Sequence, residues 1–258
     1  MSTSTECFSG RAAEYERYRQ RYQSEQILPL LRDWCGLTAQ HLVADIGAGT
    51  GMLAEIFLEN GNEVIAVEPN QEMRTLCETL VERWPRLSVI NTTAEQTGLN
   101  DSSIDLISVG RAFHWFDRFR ALKEFRRILK PGGWVALISA GRNREKTPQA
   151  RAFEQLLIDH GTDQDYRSRG YRVHERMDEL FPEGEVRRVE IAGEQGLTFE
   201  EFIGQTMSFS VVPLPGHPKH EDMVHALHDF FARYAMEGLI TIPTTCWVTC
   251  GRLTGASH

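Results

Sequence analysis

The sequence predicts an α/β fold, a doubly wound sheet of about seven strands in one domain. Three observations predict it. Short apolar runs alternate with amphipathic segments through the first 140 residues. A glycine-rich turn, Gly47-Ala48-Gly49-Thr50-Gly51, joins the first apolar run to the segment after it. The chain has 258 residues, enough for one large α/β core.

Gln23–Trp34 reads as a helix, with Ser24 as its cap and Pro29 as a local irregularity. Leu42–Ile46 is the first strand. Met52–Asn60 is a helix closed by Gly61. Glu63–Val67 is the second strand, and Asn70 caps a helix to about Arg83. Leu87–Asn91 and Ile104–Val109 are strands three and four. The helix Asp117–Leu129 is stopped by Lys130-Pro131-Gly132-Gly133, before the fifth strand, Trp134–Ser139. Residues 142–182 are charged and read as helical, ending at Phe181-Pro182. Val186–Ile191 reads as a strand, Phe199–Gln205 as a helix, and Val212–Pro218 as a proline-rich loop. Glu221–Glu237 is a long helix. Leu239–Cys250 is a last strand whose Pro243 points to an edge or a bulge.

Composition narrows the function classes. The net charge of −8 argues against a nucleic-acid partner, which needs a basic face. Five cysteines, Cys7, Cys35, Cys77, Cys246 and Cys250, form no C-x-x-C. Reduced thiols and a cytoplasmic location are the expectation. Cys246 and Cys250 lack further ligands, so no metal is expected. The polar N-terminus does not read as a signal peptide. No apolar run has the length of a membrane span, so no membrane partner is expected.

Asp45 ends the first strand, where open α/β sheets bind ligands. The turn reads D-x-G-x-G-x-G, and Met52 stands where a dinucleotide fingerprint needs its third glycine. Glu68 ends the second strand about twenty residues later, where an acid can accept bonds from a ribose diol. Asn91-Thr92-Thr93-Ala94-Glu95 follows the third strand, and Gly110-Arg111-Ala112-Phe113-His114-Trp115-Phe116-Asp117 follows the fourth. Phe8, Ala12, Tyr15, Arg19 and Tyr22 recur at helical spacing near the N-terminus.

These segments resemble the class I S-adenosylmethionine (SAM) methyltransferases, whose motif I the glycine turn matches. A-F-H-W-F-D resembles a signature of a small-molecule branch, the methyltransferase type 11-like and trans-aconitate methyltransferase-like proteins. Relatives often carry Gln where this chain has Arg111. The resemblance implies a Rossmann-like sheet, mostly parallel, with an antiparallel last strand and a helical insertion over the strand carboxyl ends. It divides the single domain into a helical lid (1–40), a cofactor core (41–140), a helical substrate cap with one core strand (142–235) and the last strand (239–250).

The implied cofactor is SAM, with S-adenosylhomocysteine as product. Its implied ligands are Tyr18, Arg19, Asp45, Gly47, Ala48, Gly49, Gly51, Glu68, Pro69, Thr93, Ala94, Glu95, Gly110, Arg111 and Phe113. His114, Trp115 and Arg142 are the implied substrate pocket, with His114 a candidate general base. Arginine forks near the fourth and fifth strand ends suit an acidic small-molecule acceptor. A monomer or a homodimer fits. A SAM-binding regulator without transferase activity and an NAD(P)-dependent oxidoreductase are the competing readings.

Overall fold

The structure is a computed structural model, and it describes residues 10–162, 181 and 186–253. Phe8 of the N-terminal stripe, and 163–180 and Pro182 of the expected cap, lie outside these residues. A seven-stranded sheet forms the centre, in the order β3-β2-β1-β4-β5-β7-β6. Its strands are β1 (Leu42–Ile46), β2 (Glu63–Val67), β3 (Leu87–Ile90), β4 (Ile104–Gly110), β5 (Leu129–Arg142), β6 (Val186–Leu197) and β7 (Ile240–Gly251). The first five run parallel, and β7 alone is antiparallel to both of its neighbours.

The helices are α1 (Ala12–Tyr18), α2 (Ser24–Cys35), α3 (Met52–Glu59), α4 (Gln71–Thr79), α5 (Arg118–Ile128), α6 (Pro148–His160), α7 (Phe199–Met207) and α8 (His220–Tyr234). Several ends follow directly from side-chain chemistry. Asn70 and Asp117 cap α4 and α5 by accepting from the backbone N–H of Met73 and Arg120. Thr198 and Glu201 form a reciprocal capping box on α7. Gly36, at φ 65°, closes α2. Ser24 is the first helical residue of α2 and not its cap; Gln23 holds the cap position without a side-chain bond.

Two apolar layers sandwich the sheet. Ile27, Leu31, Phe57 and Leu106 pack on one face, and Ile46, Ile107, Phe125 and Ile128 on the other. Leu106 and Ile107 are adjacent in β4, so successive residues feed opposite layers. A third cluster joins α6, α7 and α8, where the Phe153 ring sits 5.2 Å from those of Phe202 and Phe230.

Two expectations need correction. The Lys130–Gly133 turn does not precede the strand but lies within it. Ile104 pairs with Leu129 and Leu106 with Trp134, so the turn is a bulge, with Gly132 at φ 81°. Pro243 is not on an edge strand, because β7 lies between β5 and β6. Its carbonyl accepts from Asn143, just beyond the end of β5. N–H and C=O of one residue point to the same side of a strand, so the missing N–H faces a side where β5 has ended.

Candidate functional site

The order β3-β2-β1-β4 reverses direction between β1 and β4, and a crevice opens outside their carboxyl ends. The cleft there measures about 770 Å³. The four turns after β1, β2, β3 and β4 line it with Gly47, Gly49, Glu68, Pro69, Asn70, Thr93, Ala94, Glu95, Gly110, Arg111, Ala112, Trp115 and Phe116. Met73 of α4 and Tyr15 of α1 complete the wall.

The glycine turn has three separate duties. Gly47, Gly49 and Gly51 all have positive φ, of 71°, 60° and 92°. A Cβ on Gly47 would come within 2.6 Å of the Ala112 Cβ and 3.1 Å of the Phe116 ring. One on Gly51 would meet Leu80 at 2.6 Å and the Cys77 sulfur at 3.0 Å. One on Gly49 would meet nothing within 4 Å, although this residue lines the cleft. Gly51 therefore serves packing against α4 and the turn after it, while Gly49 keeps the cleft open.

Glu68 ties the β1 and β2 turns together. Its Oε2 accepts from the Gly49 N–H and its Oε1 from the Asn70 N–H, both at 2.8 Å. A carboxylate has about four acceptor sites, so two remain for a ligand. Burial raises its pKa, opposed by these two backbone bonds. Asp45 is fully buried beside it. Its Oδ1 accepts from the Ser108 hydroxyl at 2.8 Å, and its Oδ2 is buried without a hydrogen-bond partner. Loss of solvation pushes its pKa up to about 7, and the Glu68 charge adds to this.

The helix over the cleft is held from both sides. The Gly10 N–H donates to Glu72 of α4 at 2.6 Å. Arg11, 6% exposed, donates to the carbonyls of Met207, Phe209 and Val212 at 3.1, 2.9 and 2.6 Å. Arg11 thus caps the chain leaving α7 and latches α1 to the cap. Sequence reasoning missed this residue, because an arginine beside a polar N-terminus carries no burial signal.

The expected site residues divide. Gly47, Gly49, Glu68, Pro69, Thr93, Ala94, Glu95, Gly110, Arg111 and Trp115 come together in the cleft. Asp45 lies buried against Ser108, near Glu68. Tyr18 points to the cap: its hydroxyl donates to Glu200 at 2.8 Å, and its ring lies against Gly204. Arg19 lies over the rings of Tyr15 and Phe209. Both residues line a separate polar cleft between the N-terminal segment and β6–α7. The residue of the aromatic stripe that reaches the main cleft is Tyr15, one helical turn earlier. Ala48 and Gly51 help to build the turn, and neither is among the described lining residues.

After β4 the aromatic order differs from the expectation. Phe113 is buried in the core, edge-on to Phe116, and it is Phe116 that lines the cleft. The short helical turn Phe113–Trp115 rotates these side chains to different sides. His114 is exposed, with its ring 4.8 Å from that of Trp115. Arg111, at φ 55°, donates to the carbonyls of Ala140 and Gln20 at 2.6 Å and stacks over Tyr22. Arg142 forms a buried ion pair with Glu154 at 2.6 Å, below the Phe209 ring, and is not among the described lining residues. Asn70, Met73, Ala112 and Phe116 are lining residues that were not among the expected site residues. Asn70 had shown itself only as a helix cap.

Residues 44–137 match the methyltransferase domain family. An uncharacterised methyltransferase of Mycobacterium tuberculosis is 38% identical over 131 residues, 51% of each chain. A methyltransferase-like protein of Schizosaccharomyces pombe is 29% identical over 231 residues, 88% of this chain and 86% of its own. This chain spans about half the length of the first curated relatives it matches. The YcgJ protein of Bacillus subtilis shares the fold, with a TM-score of 0.57 and 20% identity over 90% of this chain and all of its own. Among the described residues, no helix is long and apolar enough to cross a membrane, and no cluster of side chains could hold a metal ion.

Proposed function

We propose that the protein transfers a methyl group from SAM to a small molecule, a reading supported by the match of residues 44–137 to the methyltransferase domain family. The observation that carries this reading is the cleft at the β1–β4 switch point, with Glu68 bridging its glycine turn. The residues present fit the cofactor. Gly49 leaves open space in the cleft, and Glu68 keeps acceptor capacity for a diol. When bound, SAM supplies an electrophilic methyl group with a good leaving group.

The protein's own contribution is alignment and exclusion of water. Glu68 would hold a ribose diol through the acceptor capacity its two backbone bonds leave. Thr93, Ala94 and Glu95 form the wall for the base, and Glu95 is steadied by accepting from the Asp117 N–H at 2.8 Å. Tyr15, Trp115 and Phe116 present aromatic faces, which favour a sulfonium by cation–π attraction on the order of 1 kcal/mol. Arg111 is the one cationic side chain among the described lining residues, so an acidic acceptor would meet its guanidinium. His114 is exposed and is not among the described lining residues, so this scheme gives it no role as a base. An acceptor that needs no deprotonation fits this better than a hydroxyl or a carbon acid.

Solved structures of the same fold include a phosphoethanolamine N-methyltransferase of Haemonchus contortus, bound to phosphomonomethylethanolamine and S-adenosylhomocysteine (TM-score 0.54, 14% identity). That precedent supports a small-molecule acceptor and leaves its identity open. Action in the cytoplasm, as a monomer or homodimer, belongs to the same proposal. The test is a screen of small acids, phenols and amines with SAM labelled in its methyl group. Labelled product from any of them supports the reading. SAM binding with no transfer across the screen would favour a regulator.

A further inference from the structure

The two edges of the sheet are built very differently. β3 has 4 residues, while β6 has 12 and is exposed along most of its length. A long open edge offers its backbone to another strand, and proteins blunt such edges by shortness, bulges, proline or lysine. β6 contains neither proline nor lysine, and it pairs with β7 residue for residue, without a bulge. Among the described residues, no strand pairs with it on the side away from β7. We propose that two copies of this chain pair antiparallel through β6, about a two-fold axis at Ile191, so that their sheets continue as one.

Pro243 fixes which backbone groups of β6 face outward. It pairs with Glu194, and its carbonyl turns the other way, to Asn143 just beyond β5. Pro243 and Glu194 therefore exchange no hydrogen bond, and the N–H and C=O of Glu194 face away from β7. By alternation, so do those of Val186, Arg188, Glu190, Ala192 and Gly196. Opposite residues share a face of the sheet, so a two-fold axis normal to it sets even numbers against even numbers. Centred on Ile191, the register joins Val186 with Gly196, Arg188 with Glu194 and Glu190 with Ala192. Every one of these pairs brings outward-facing groups together.

Charge selects this register from its neighbours. One centred on Glu190 sets that carboxylate against its own copy. One centred on Ala192 sets Glu190 against Glu194. One centred on Val189 pairs Arg188 with Glu190 but stops at Ala192, leaving the rest of the edge open. The register at Ile191 sets Arg188 against Glu194 on both sides of the axis and uses the edge from Val186 to Gly196. A guanidinium has five N–H donors, so Arg188 takes Glu194 beside other acceptors. Val189 and Ile191 keep their packing against the apolar layer of their own chain. The pairing is independent of methyl transfer.

The experiment is sedimentation equilibrium of the full chain over a concentration series. The mass should rise from that of one chain towards that of two. Glu194→Arg sets guanidinium against guanidinium and should raise the dissociation constant about tenfold. Adding Arg188→Glu to it should restore the wild-type value. Ala192→Pro removes an N–H that β7 does not use, and should sediment as one chain at every concentration. If that variant does not fold, Ile191→Cys tests the register directly. Opposite residues of a non-bonded pair stand about 4.5 Å apart, so mild oxidation should join two copies through position 191. Ala192→Cys, which faces Glu190, should not cross-link to its own copy. A wild type that stays a single chain throughout, or a dimer that neither Glu194→Arg nor Ala192→Pro weakens, would overturn the proposal. A dimer that Ile191→Cys fails to cross-link would overturn it too.

Discussion

At the scale of single residues, the glycine turn gives the sharpest contrast. Gly49→Ala should keep the fold, at a strain of about 1 kcal/mol for its positive φ, yet place a methyl group in the cleft. Gly51→Ala should instead lower stability, since its Cβ would press on Leu80 and Cys77. Thermal melts and SAM titrations of the two variants separate these effects. Asp45 gives a pH prediction. Its pKa of about 7 in the fold exceeds the ordinary carboxylate value, so its contribution to stability is complete below about pH 4 and is lost as pH rises through 7. The loss is on the order of 4 kcal/mol. Melting of the ligand-free wild type should therefore fall between about pH 4 and 7 relative to Asp45→Asn. If a cationic group of SAM faces the ionised form, affinity should rise over the same range in the wild type and stay flat in Asp45→Asn. A wild-type difference curve without pH dependence would remove Asp45 from this account.

At the scale of elements, α1 bridges α4 and α7. Arg11 is one of its holds on α7 and the chain after it, beside the Tyr18–Glu200 bond, and the carbonyls of Met207, Phe209 and Val212 accept from that guanidinium. Arg11→Met should cost on the order of 3 kcal/mol and raise amide exchange in α1. SAM affinity should fall with it, because Tyr15 rides on the same helix. Unchanged exchange in α1 would show that Gly10 and the α1–α7 packing suffice. A deletion of the N-terminal segment should stop before Gln20, whose carbonyl accepts from Arg111, and spare Tyr22, which lies beneath Arg111 and Gly110. The sequence displayed α1 only as an aromatic stripe. Helical spacing indicated that Tyr15, Arg19 and Tyr22 matter, but not which of them turns to the cleft and which to the cap. That choice depends on where α7 sits, which local periodicity does not encode. Asp117 and Asn70 were readable as caps because capping is local. Pro243 was misplaced because its tolerance depends on where β5 ends.

At the scale of the whole molecule, the parallel half was readable because each β–turn–α unit carries its own pattern. Asp45, the glycine turn and Glu68 fall at strand ends by sequence order alone. The acceptor side was not, because the Arg142–Glu154 pair and the burial of Phe113 arise from tertiary packing. Arg142 reads as a free fork in sequence, and in the fold it is held by a buried acid. The cap cluster of Phe153, Phe202 and Phe230 should govern its stability: Phe202→Ala, at a fully buried site, should cost about 3–5 kcal/mol. The central claim is that the cleft at the β1–β4 switch point binds SAM through Glu68. Its most direct test is calorimetric titration of the wild type and Glu68→Ala with SAM, S-adenosylhomocysteine and NAD. The account predicts that the wild type binds SAM and S-adenosylhomocysteine and not NAD. It predicts that Glu68→Ala stays folded and loses about 1–3 kcal/mol of SAM affinity. NAD binding without a SAM response, or equal SAM affinity in the folded variant, would contradict it.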